Sequence, residues 1–536
     1  MTEKKKYTFS IGVVLLAAAL GVLSGVLLAP HSVDDRAESL FSTSHNERLD
    51  ALMEIIGYCY VDTVDPDSLS MMAAQNLLSS LDPHSTYLAP KDFDMEVEMM
   101  QGRFDGIGVT LVEINDTVYA SNVKPDSPAG HAGVVPGDVL LMVDTAKVAD
   151  VRREGGLSSV VDLIRGPRHS TVTLTLDRKG CKKPVKVKMQ RDVIHHASVL
   201  AALMIDKRTG YIRVARFAET TASEFHNALL QLNNEGMKHL VLDLRGNGGG
   251  SLEAAVKMAD ELLPAGDLIV YTQGAHSRRR NNYATEGGLY EQGRLTILIN
   301  EFSASASEVV SGAIQDNDRG LIAGRCSFGK GLVQRQFDLP EGDAVLLTIA
   351  RYYSPSGRCI QRPYDKGSDA YYMDYLNRIF SNYTSPDSLF NATADTSQWF
   401  LTKKGRKVYG GGGIQPDVTL PYVLDTNWAY YNRLVDERVL EEVLHHQLHD
   451  HYAELIAKYP TAERFVASYE VDTQTWNCIL NTAKAKGIQP NGGSLTKYGR
   501  HIRNRYKSLM ASSMFGDNAY YSVAVHSDNE LQKVIK

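Results

Sequence analysis

The chain has 536 residues and a mass of 59.2 kDa, with 43% hydrophobic and 22% charged residues. That ordinary globular usage excludes wholesale disorder and a polytopic membrane protein, and it accommodates about three to five domains. Lys plus Arg number 57 against 63 Asp plus Glu, a net charge of −6, so no global basic field recruits nucleic acid.

Lys4, Lys5 and Lys6 precede an uncharged stretch from Phe9 to Ala29. At 1.5 Å per helical residue such a stretch spans about 30 Å, one hydrocarbon core. The lysines stay cytoplasmic and the rest crosses, so residues 1–30 are expected to anchor the chain in a membrane. A cleaved signal peptide is the competing reading. No clear small-x-small cleavage site precedes Pro30, and the run is long for a signal sequence. Gly21 and Gly25 form a GxxxG pair, either a dimer face or ordinary small residues in a membrane helix.

Residues 31–92 are expected to be helical. Leu49, Leu52, Met53, Ile56 and Tyr60 recur at helical spacing, until Leu81-Asp82-Pro83-His84-Ser85 breaks the pattern. Residues 93–192 change to short β segments: Gly106 to Leu111, Thr117 to Val123, Val139 to Val143, Thr171 to Leu176 and Val185 to Met189. A helix from Leu157 to Ile164 leads to Arg165-Gly166-Pro167. With the Gly106-Ile107-Gly108-Val109 loop and the Ser-Pro-Ala…Ala-Gly-Val…Pro-Gly-Asp stretch at 127–138, this segment resembles a PDZ domain. The resemblance implies that loop N–H groups hold a peptide's terminal carboxylate while the peptide adds a strand to the sheet edge. Ile107 and Val109 are expected to supply an apolar rim.

Residues 193–425 alternate strand-like runs and helices, an α/β pattern. Strand His239 to Leu244 ends in the loop Arg245-Gly-Asn-Gly-Gly-Gly250, ahead of a helix from Leu252 to Leu263. The loop lacks G-x-G-x-x-G spacing and a Walker lysine, so it is set aside as a nucleotide site. Strand Leu295 to Ile299 feeds Ser303-Ala-Ser-Ala-Ser307 and a helix from Glu308 to Gln315. Ser305 and Glu308 have capping-box spacing, so a helix cap stands beside the nucleophile reading. A serine there also meets a positive helix end, with the Ala306 N–H ready to face an oxyanion. The polar, aromatic stretch 366–404 reads as a surface insertion, and residues 426–536 read as a charged helical region without usable motif.

A serine nucleophile needs a base, and the chain has no Gly-x-Ser-x-Gly elbow. Lys330 lies between Gly329 and Gly331, flanked by Phe328, Leu332 and Val333. On a strand, Gln334 would share its face and hold the amine. At a pKa of about 10.4 only roughly one lysine in a thousand is neutral near pH 7.4, so Lys330 must be buried away from carboxylates to act. Otherwise it is a surface lysine in a glycine turn.

These features together resemble the carboxyl-terminal processing peptidases, or tail-specific proteases, a Ser/Lys endopeptidase family. The match covers about residues 40 to 424. It runs through Leu81 to Ser85, the PDZ unit, Asp243 to Gly250, Ser303 to Glu308, Phe328 to Gly331 with Gln334, Tyr352 to Arg358 and Gly412 to Asp417. The resemblance implies a crotonase-like α/β core, Ser305 as nucleophile, Lys330 as base and Gln334 as its orienting partner. An oxyanion hole would combine Ala306 with a glycine near Gly249, and Gly106, Ile107, Gly108 and Val109 would bind the substrate C-terminus. Arg325-Cys326-Ser327 departs from the family pattern, where an acidic residue often follows the glycine.

The expected protein is a multidomain α/β enzyme of the bacterial cell envelope, anchored in the inner membrane through residues 9–29 and facing the periplasm. Its expected substrates are proteins with exposed apolar C-terminal tails. No cofactor, metal or nucleic acid is implied, and an oligomer or adaptor partner is left open. A catalytically silent PDZ adaptor is the alternative. Cys59, Cys181, Cys326, Cys359 and Cys478 lie far apart, which argues against a disulfide framework and a cysteine zinc site. His445, His446, His449 and His451 crowd one helix, as a metal pair or as a solvated face. Asp82 and His84 read as a structural turn rather than triad partners of Ser305.

Overall fold

The computed structural model describes residues 47–340, 342–384, 398–421, 428–490 and 493–535. The expected membrane span at 9–29 and its GxxxG pair lie outside them. Among the described residues no helix is long and apolar enough to cross a membrane.

The chain divides into two compact units, one up to Asn76 and one from Leu77 onward. In the first, helix α1 (Glu47–Cys59) forms where the sequence periodicity places it. Its Leu49, Leu52 and Ile55 are exposed. Helix α2 (Pro66–Ser79) begins in this unit. The helical stretch does not continue to residue 92, because β1 (Thr86–Leu88) pairs with a strand of the α/β domain. Helix α3 (Pro90–Gln101) follows, with Pro90 in its first turn and Gly102 in the left-handed conformation at its end.

The PDZ-like domain contains β2 (Arg103–Gly106), β3 (Val109–Ile114), β4 (Thr117–Val123), α4 (Pro128–His131), β5 (Val139–Val143), β6 (Ala146–Lys147), α5 (Val148–Ile164), β7 (Thr171–Asp177), β8 (Val185–Gln190) and β9 (Asp192–His195). The expected strand from Gly106 to Leu111 is broken at Ile107-Gly108, and the expected helix at 157–164 starts nine residues earlier, with Gly156 at φ 71° marking a kink inside it. The sheet order is β3-β4-β5-β7-β8, so β3 is an edge strand.

The α/β domain follows with β10 (Val199–Met204), β11 (Thr209–Val214), α6 (Thr221–Asn234), β12 (His239–Asp243), α7 (Leu252–Asp260), β13 (Leu268–Gln273), β14 (Arg280–Tyr283), β15 (Arg294–Ile299), α8 (Ala306–Asp316), β16 (Leu321–Gly324), β17 (Leu332–Asp338), β18 (Ala344–Tyr353), α9 (Ser368–Thr384), β19 (Trp399–Leu401), β20 (Lys407–Tyr409) and β21 (Val418–Thr419). One sheet has the order β10-β11-β12-β15-β16-β21 and is parallel from β11 onward. A second contains β1, β18, β13 and β14, with β17 also on β18. Parallel strands are covered on both faces, and here the period-2 alternation divides them. Leu240, Leu242, Ile297, Ile299 and Ile322 face one core with α6, α7 and α8, while Val241, Leu298 and Ala323 face another.

That second face is closed by the end of the chain. The C-terminal region is built from α10 (Trp428–Asp436), α11 (Val439–Lys458), α12 (Ala462–Ser468), α13 (Thr473–Ala485), α14 (Ser494–Phe515), α15 (Asp517–Ala524) and α16 (Asn529–Ile535). Helices α10 to α15 share their own core around Leu444, Phe465 and Tyr506. Val525, Leu531 and Val534 instead pack on Tyr211, Val241, Leu298 and Ala323. The last helix thus completes the cover of the parallel sheet.

The C-terminal region also grips the PDZ-like sheet. His445 is 2% exposed, and its ring shares hydrogen bonds with Ser121 Oγ (2.9 Å) and the Glu441 carbonyl (2.7 Å). Tyr119 lies against His445, His446 and His449. Of the histidines expected on a solvated or metal-binding face, His445 and His449 thus belong to an interdomain contact while His446 and His451 are exposed, and no group of side chains suited to a metal occurs among the described residues. The stretch 366–404 is likewise not a mere surface insertion: Tyr371 of α9 is 3% exposed and packs beside His84 and Phe328.

Candidate active site

Three loops leave the same ends of adjacent parallel strands. Asp243 of β12 pairs with Leu298 of β15, and Ile299 pairs with Gly324 of β16. The glycine loop, the serine run and the lysine loop therefore meet beyond the carboxyl ends of the sheet, where open α/β sheets place their ligands. Backbone bonds stitch them together. The Ala304 N–H donates to the Asn247 carbonyl (3.0 Å), and the Phe328 N–H donates to the Ser303 carbonyl (2.9 Å).

The three serines have different fates. Ser303 Oγ is buried and donates to the Leu244 carbonyl (2.8 Å), and Ser307 Oγ is buried and donates to the Asn247 carbonyl (2.9 Å). Within residues 303–308 Ser305 alone is not buried. Its backbone has φ 54° and ψ −113°, in the positive-φ region that costs a non-glycine residue roughly 1–3 kcal/mol. The turn from β15 into α8 is sharp at this residue, and it is reached without a Gly-x-Ser-x-Gly sequence. The close-packing glycine comes from another loop. A Cβ on Gly249 would lie 2.8 Å from Ser305 Cβ and 3.1 Å from the Ala306 nitrogen. Among the described residues the Ala306 N–H, at the start of α8, has no backbone acceptor. The Gly249 N–H is already engaged by Asn247 Oδ1 (2.9 Å).

Lys330 Nζ donates to Gln334 Oε1 (2.5 Å), and Gln334 Nε2 donates to the His84 carbonyl (2.5 Å). The turn at His84 is held in place by Asp82, whose carboxylate accepts the His84 and Ser85 N–H groups (2.8 and 2.9 Å) and the Ser85 hydroxyl (2.6 Å). Lys330 itself precedes β17, so the relation to Gln334 comes from the loop as well as the strand. Burial lowers the Lys330 ammonium from its ordinary range, against the pull of Glu96, Asp82 and Glu308. Those carboxylates were not anticipated. Burial, with Lys330 nearby, also brings His84 down to about 4, so its ring is neutral near pH 7. Among the described residues no hydrogen bond joins Ser305 Oγ to Lys330 Nζ.

Sequence reasoning missed what joins the two loops. Glu308 is 1% exposed. Its Oε2 accepts the Ser305 N–H (2.8 Å) and the Lys330 N–H (2.9 Å). Its Oε1 accepts the Ser327 hydroxyl (2.5 Å) and the Gly329 N–H (2.7 Å). Capping-box spacing was the one signal in the sequence, and it indicated only the first of these four bonds. From the other side, the Tyr352 hydroxyl donates to the Lys330 carbonyl (2.6 Å) and lies 3.1 Å from the Ser305 carbonyl. Burial pushes the Glu308 carboxyl up to about 7, against the pull of its four donors.

Stretches of the chain match known family models. Residues 208–366 match the model of peptidase family S41, and residues 119–178 match that of a PDZ domain. A carboxy-terminal-processing protease of Bartonella bacilliformis is 34% identical over 366 residues, covering 67% of this chain and 80% of the relative. The chain belongs to the S41 peptidase family. A probable CtpA-like serine protease of Staphylococcus aureus (strain COL) is 31% identical, over 65% of this chain and 69% of the relative. The solved photosystem II D1 C-terminal processing protease is 26% identical over 72% of this chain and 95% of its own, with a TM-score of 0.35. Residues 430–516 match DUF8443, a family of unknown function.

As an S41 peptidase the chain is a serine-type endopeptidase with a PDZ domain. In that domain Gly108 has φ 82°, and a Cβ there would lie 2.3 Å from Ser127 Cβ, so only glycine fits. Among the described residues the N–H groups of Ile107 and Gly108 have no backbone acceptor. Gly106 closes β2, and Val109 opens the unpartnered edge of β3. The expected rim is corrected at Ile107, which is 2% exposed and fills the PDZ core.

Glu308→Gln should test the shared carboxylate. An amide presents one acceptor and two donors, so donors now satisfied would face donors, at about 1–3 kcal/mol for each one left unpaired. The expected result is a loss of at least roughly 100-fold in kcat/KM, together with a lower melting temperature. A variant with near-parental kcat/KM would show that the carboxylate does not organise the site.

Proposed function

We propose that the enzyme captures protein C-terminal tails through the PDZ loop and cleaves them with a Ser305/Lys330 dyad. The observation that carries this reading is the double bridge, Glu308 on one side and Tyr352 on the other, that holds the backbones of Ser305 and Lys330 together. A catalytically silent adaptor has no use for a strained serine and a desolvated lysine held in one place.

Neutral Lys330 takes the Ser305 hydroxyl proton as Oγ attacks the scissile carbonyl carbon. Negative charge develops on the carbonyl oxygen, which the Ala306 N–H meets at the positive end of α8. Gly249 would join that hole on exchanging Asn247 Oδ1 for the oxyanion. The C–N bond then breaks, and Lys330 returns the proton to the leaving amine. Water, deprotonated by Lys330, attacks the acyl-enzyme and releases Ser305. Gln334, fixed to the His84 carbonyl, holds the amine until substrate binds. Rotation of Nζ from Gln334 toward Oγ engages the dyad, in keeping with the looser geometry of catalytic groups before substrate binds.

Ser305→Ala and Lys330→Ala should each abolish cleavage while the fold persists, because nucleophile and base act as a unit. In the parent, kcat/KM should rise with pH through the depressed Lys330 pKa, since only the neutral amine accepts a proton. Lys330→Ala retaining more than roughly a tenth of parental activity would remove the dyad.

Capture by the PDZ loop should require a free carboxylate. Charge-assisted hydrogen bonds contribute roughly 1.5–3 kcal/mol, and amidation replaces the acceptor with a neutral group. Titration of the Ser305→Ala enzyme with a free tail peptide and its amide should separate their affinities by about tenfold or more. Equal affinities would remove the capture step.

The proposed site of action is the periplasmic side of a bacterial inner membrane, with residues 9–29 as an uncleaved anchor. Lys4 to Lys6 before the apolar run support the N-in orientation. A phosphatase reporter that folds only outside the cytoplasm, fused after residue 60, should be active. An inactive fusion alongside an active cytoplasmic reporter would overturn the orientation.

A further inference from the structure

The end of the chain reaches the catalytic loops by charge as well as by packing. Glu530 of α16 is a carboxylate held between two guanidinium groups. Its Oε2 accepts from Arg245 (2.8 Å), and its Oε1 accepts from Arg325. Arg245 follows β12 and opens the glycine loop, while Arg325 follows β16 and opens the lysine loop. Arg325 also donates to Glu301 (2.8 Å), which lies between β15 and the serine run, and both side chains are 7% exposed. One acidic residue of the last helix is therefore linked to the bases of all three loops.

The surroundings make this a built contact. Asp528 bonds Arg245 (2.6 Å), and its other oxygen accepts the Glu530 and Leu531 N–H groups (3.0 Å each), fixing the start of α16. On the sheet side Asp243 takes Arg245 (2.7 Å), Arg213 (2.9 Å) and the Tyr211 hydroxyl (2.8 Å). Burial opposes its charge, yet Arg245 and Arg213 hold its carboxyl well below the usual range. A guanidinium paired in two directions has little freedom, so the chain that follows it starts from a fixed point.

We infer that Glu530 is a positioning residue for the protease site: by bridging Arg245 and Arg325 it holds the glycine, serine and lysine loops in the mutual arrangement that the reaction requires. This gives the C-terminal region a role in catalysis that is separate from its cover of the sheet. The inference rests on the proposed Ser305 chemistry. It predicts that the rate of reaction at Ser305 depends on the Glu530 charge, whereas affinity for the substrate tail does not.

The test uses the full chain with Glu530→Gln, Glu530→Ala and Val534→Ala. The last variant removes packing from the same helix and leaves both guanidinium contacts intact. Each is assayed for thermal stability, for labelling of Ser305 by a fluorophosphonate, and for kcat and KM on a tail peptide. Glu530→Ala should label at least tenfold more slowly and lose at least tenfold in kcat, with KM within twofold of the parent. Glu530→Gln keeps one acceptor oxygen and the shape of the side chain, so it should fold and fall between the two. Val534→Ala should melt at lower temperature while its folded fraction keeps the parental labelling rate. Folded Glu530→Gln and Glu530→Ala variants that label within twofold of the parent would overturn the inference. So would a Val534→Ala variant slowed as much as Glu530→Ala, because the effect would then follow stability alone. If Glu530→Ala does not fold, the Gln variant decides by the same criterion. A folded parent that fails to label at Ser305 contradicts the proposed chemistry, and with it the inference. A labelled parent with unaffected Glu530 variants overturns the inference alone.

Discussion

A single buried carboxylate organises this protease. Glu308 takes four donors from two separate loops, namely the Ser305 N–H of the serine run and the Ser327 hydroxyl and the Gly329 and Lys330 N–H groups of the lysine loop. A carboxylate removed from water is costly unless its lone pairs are used, and here they are used on the loops that carry Ser305 and Lys330, the proposed dyad. The strained elbow at Ser305 persists for the same reason. Its N–H is tied to Glu308, its carbonyl lies beside the Tyr352 hydroxyl, and the Gly249 backbone packs so closely that a Cβ there would lie 2.8 Å from Ser305 Cβ. Strain of this kind survives only where the surroundings over-determine it.

The sheet explains why these groups can meet at all. Strands β12, β15 and β16 are parallel neighbours, so the loops after them emerge side by side although they are separated by dozens of residues in sequence. Parallel sheets have to be covered on both faces, and the chain meets that need with α6, α7 and α8 on one side and its own last helix on the other. The return of the C-terminus thus serves packing first. The ion pairs from Asp528 and Glu530 then connect that packing to the loop bases.

The PDZ domain is held by the same helical region. His445 sits buried between α11 and β4, its ring nitrogens occupied by Ser121 and the Glu441 carbonyl, and burial brings it down to about 4. It is a neutral ring wedged at an interface. At Gly137 a Cβ would lie 2.5 Å from the Leu448 carbonyl carbon, so the turn before β5 packs directly on the backbone of α11. Among the described residues no strand pairs with β3 on the side away from β4, and the helical region reaches β3 through Arg438, which donates to the Glu113 carbonyl (3.4 Å).

Much of this was legible in the amino-acid sequence. Strands β4, β5, β12 and β15 lie where alternation and apolar runs place them, since burial on one or two faces writes directly into local pattern. The Ser303 to Ser307 run, Lys330 with Gln334 and the glycine loops stood out because their residue types are chemically unusual in their setting. Local pattern could not say which serine is exposed, since Ser303 and Ser307 are buried by carbonyls they meet across the fold. It assigned Glu308 to a cap, and it gave no sign of Tyr352 as a bridge. It placed His445 on a surface and Tyr371 in an insertion, because a helix face or a tyrosine carries no mark of the domain that will cover it. Residue chemistry and local periodicity were set by the sequence itself. The partners of buried polar groups were decided by tertiary structure, because a hydrogen bond over hundreds of residues depends on strand order and on where the chain returns.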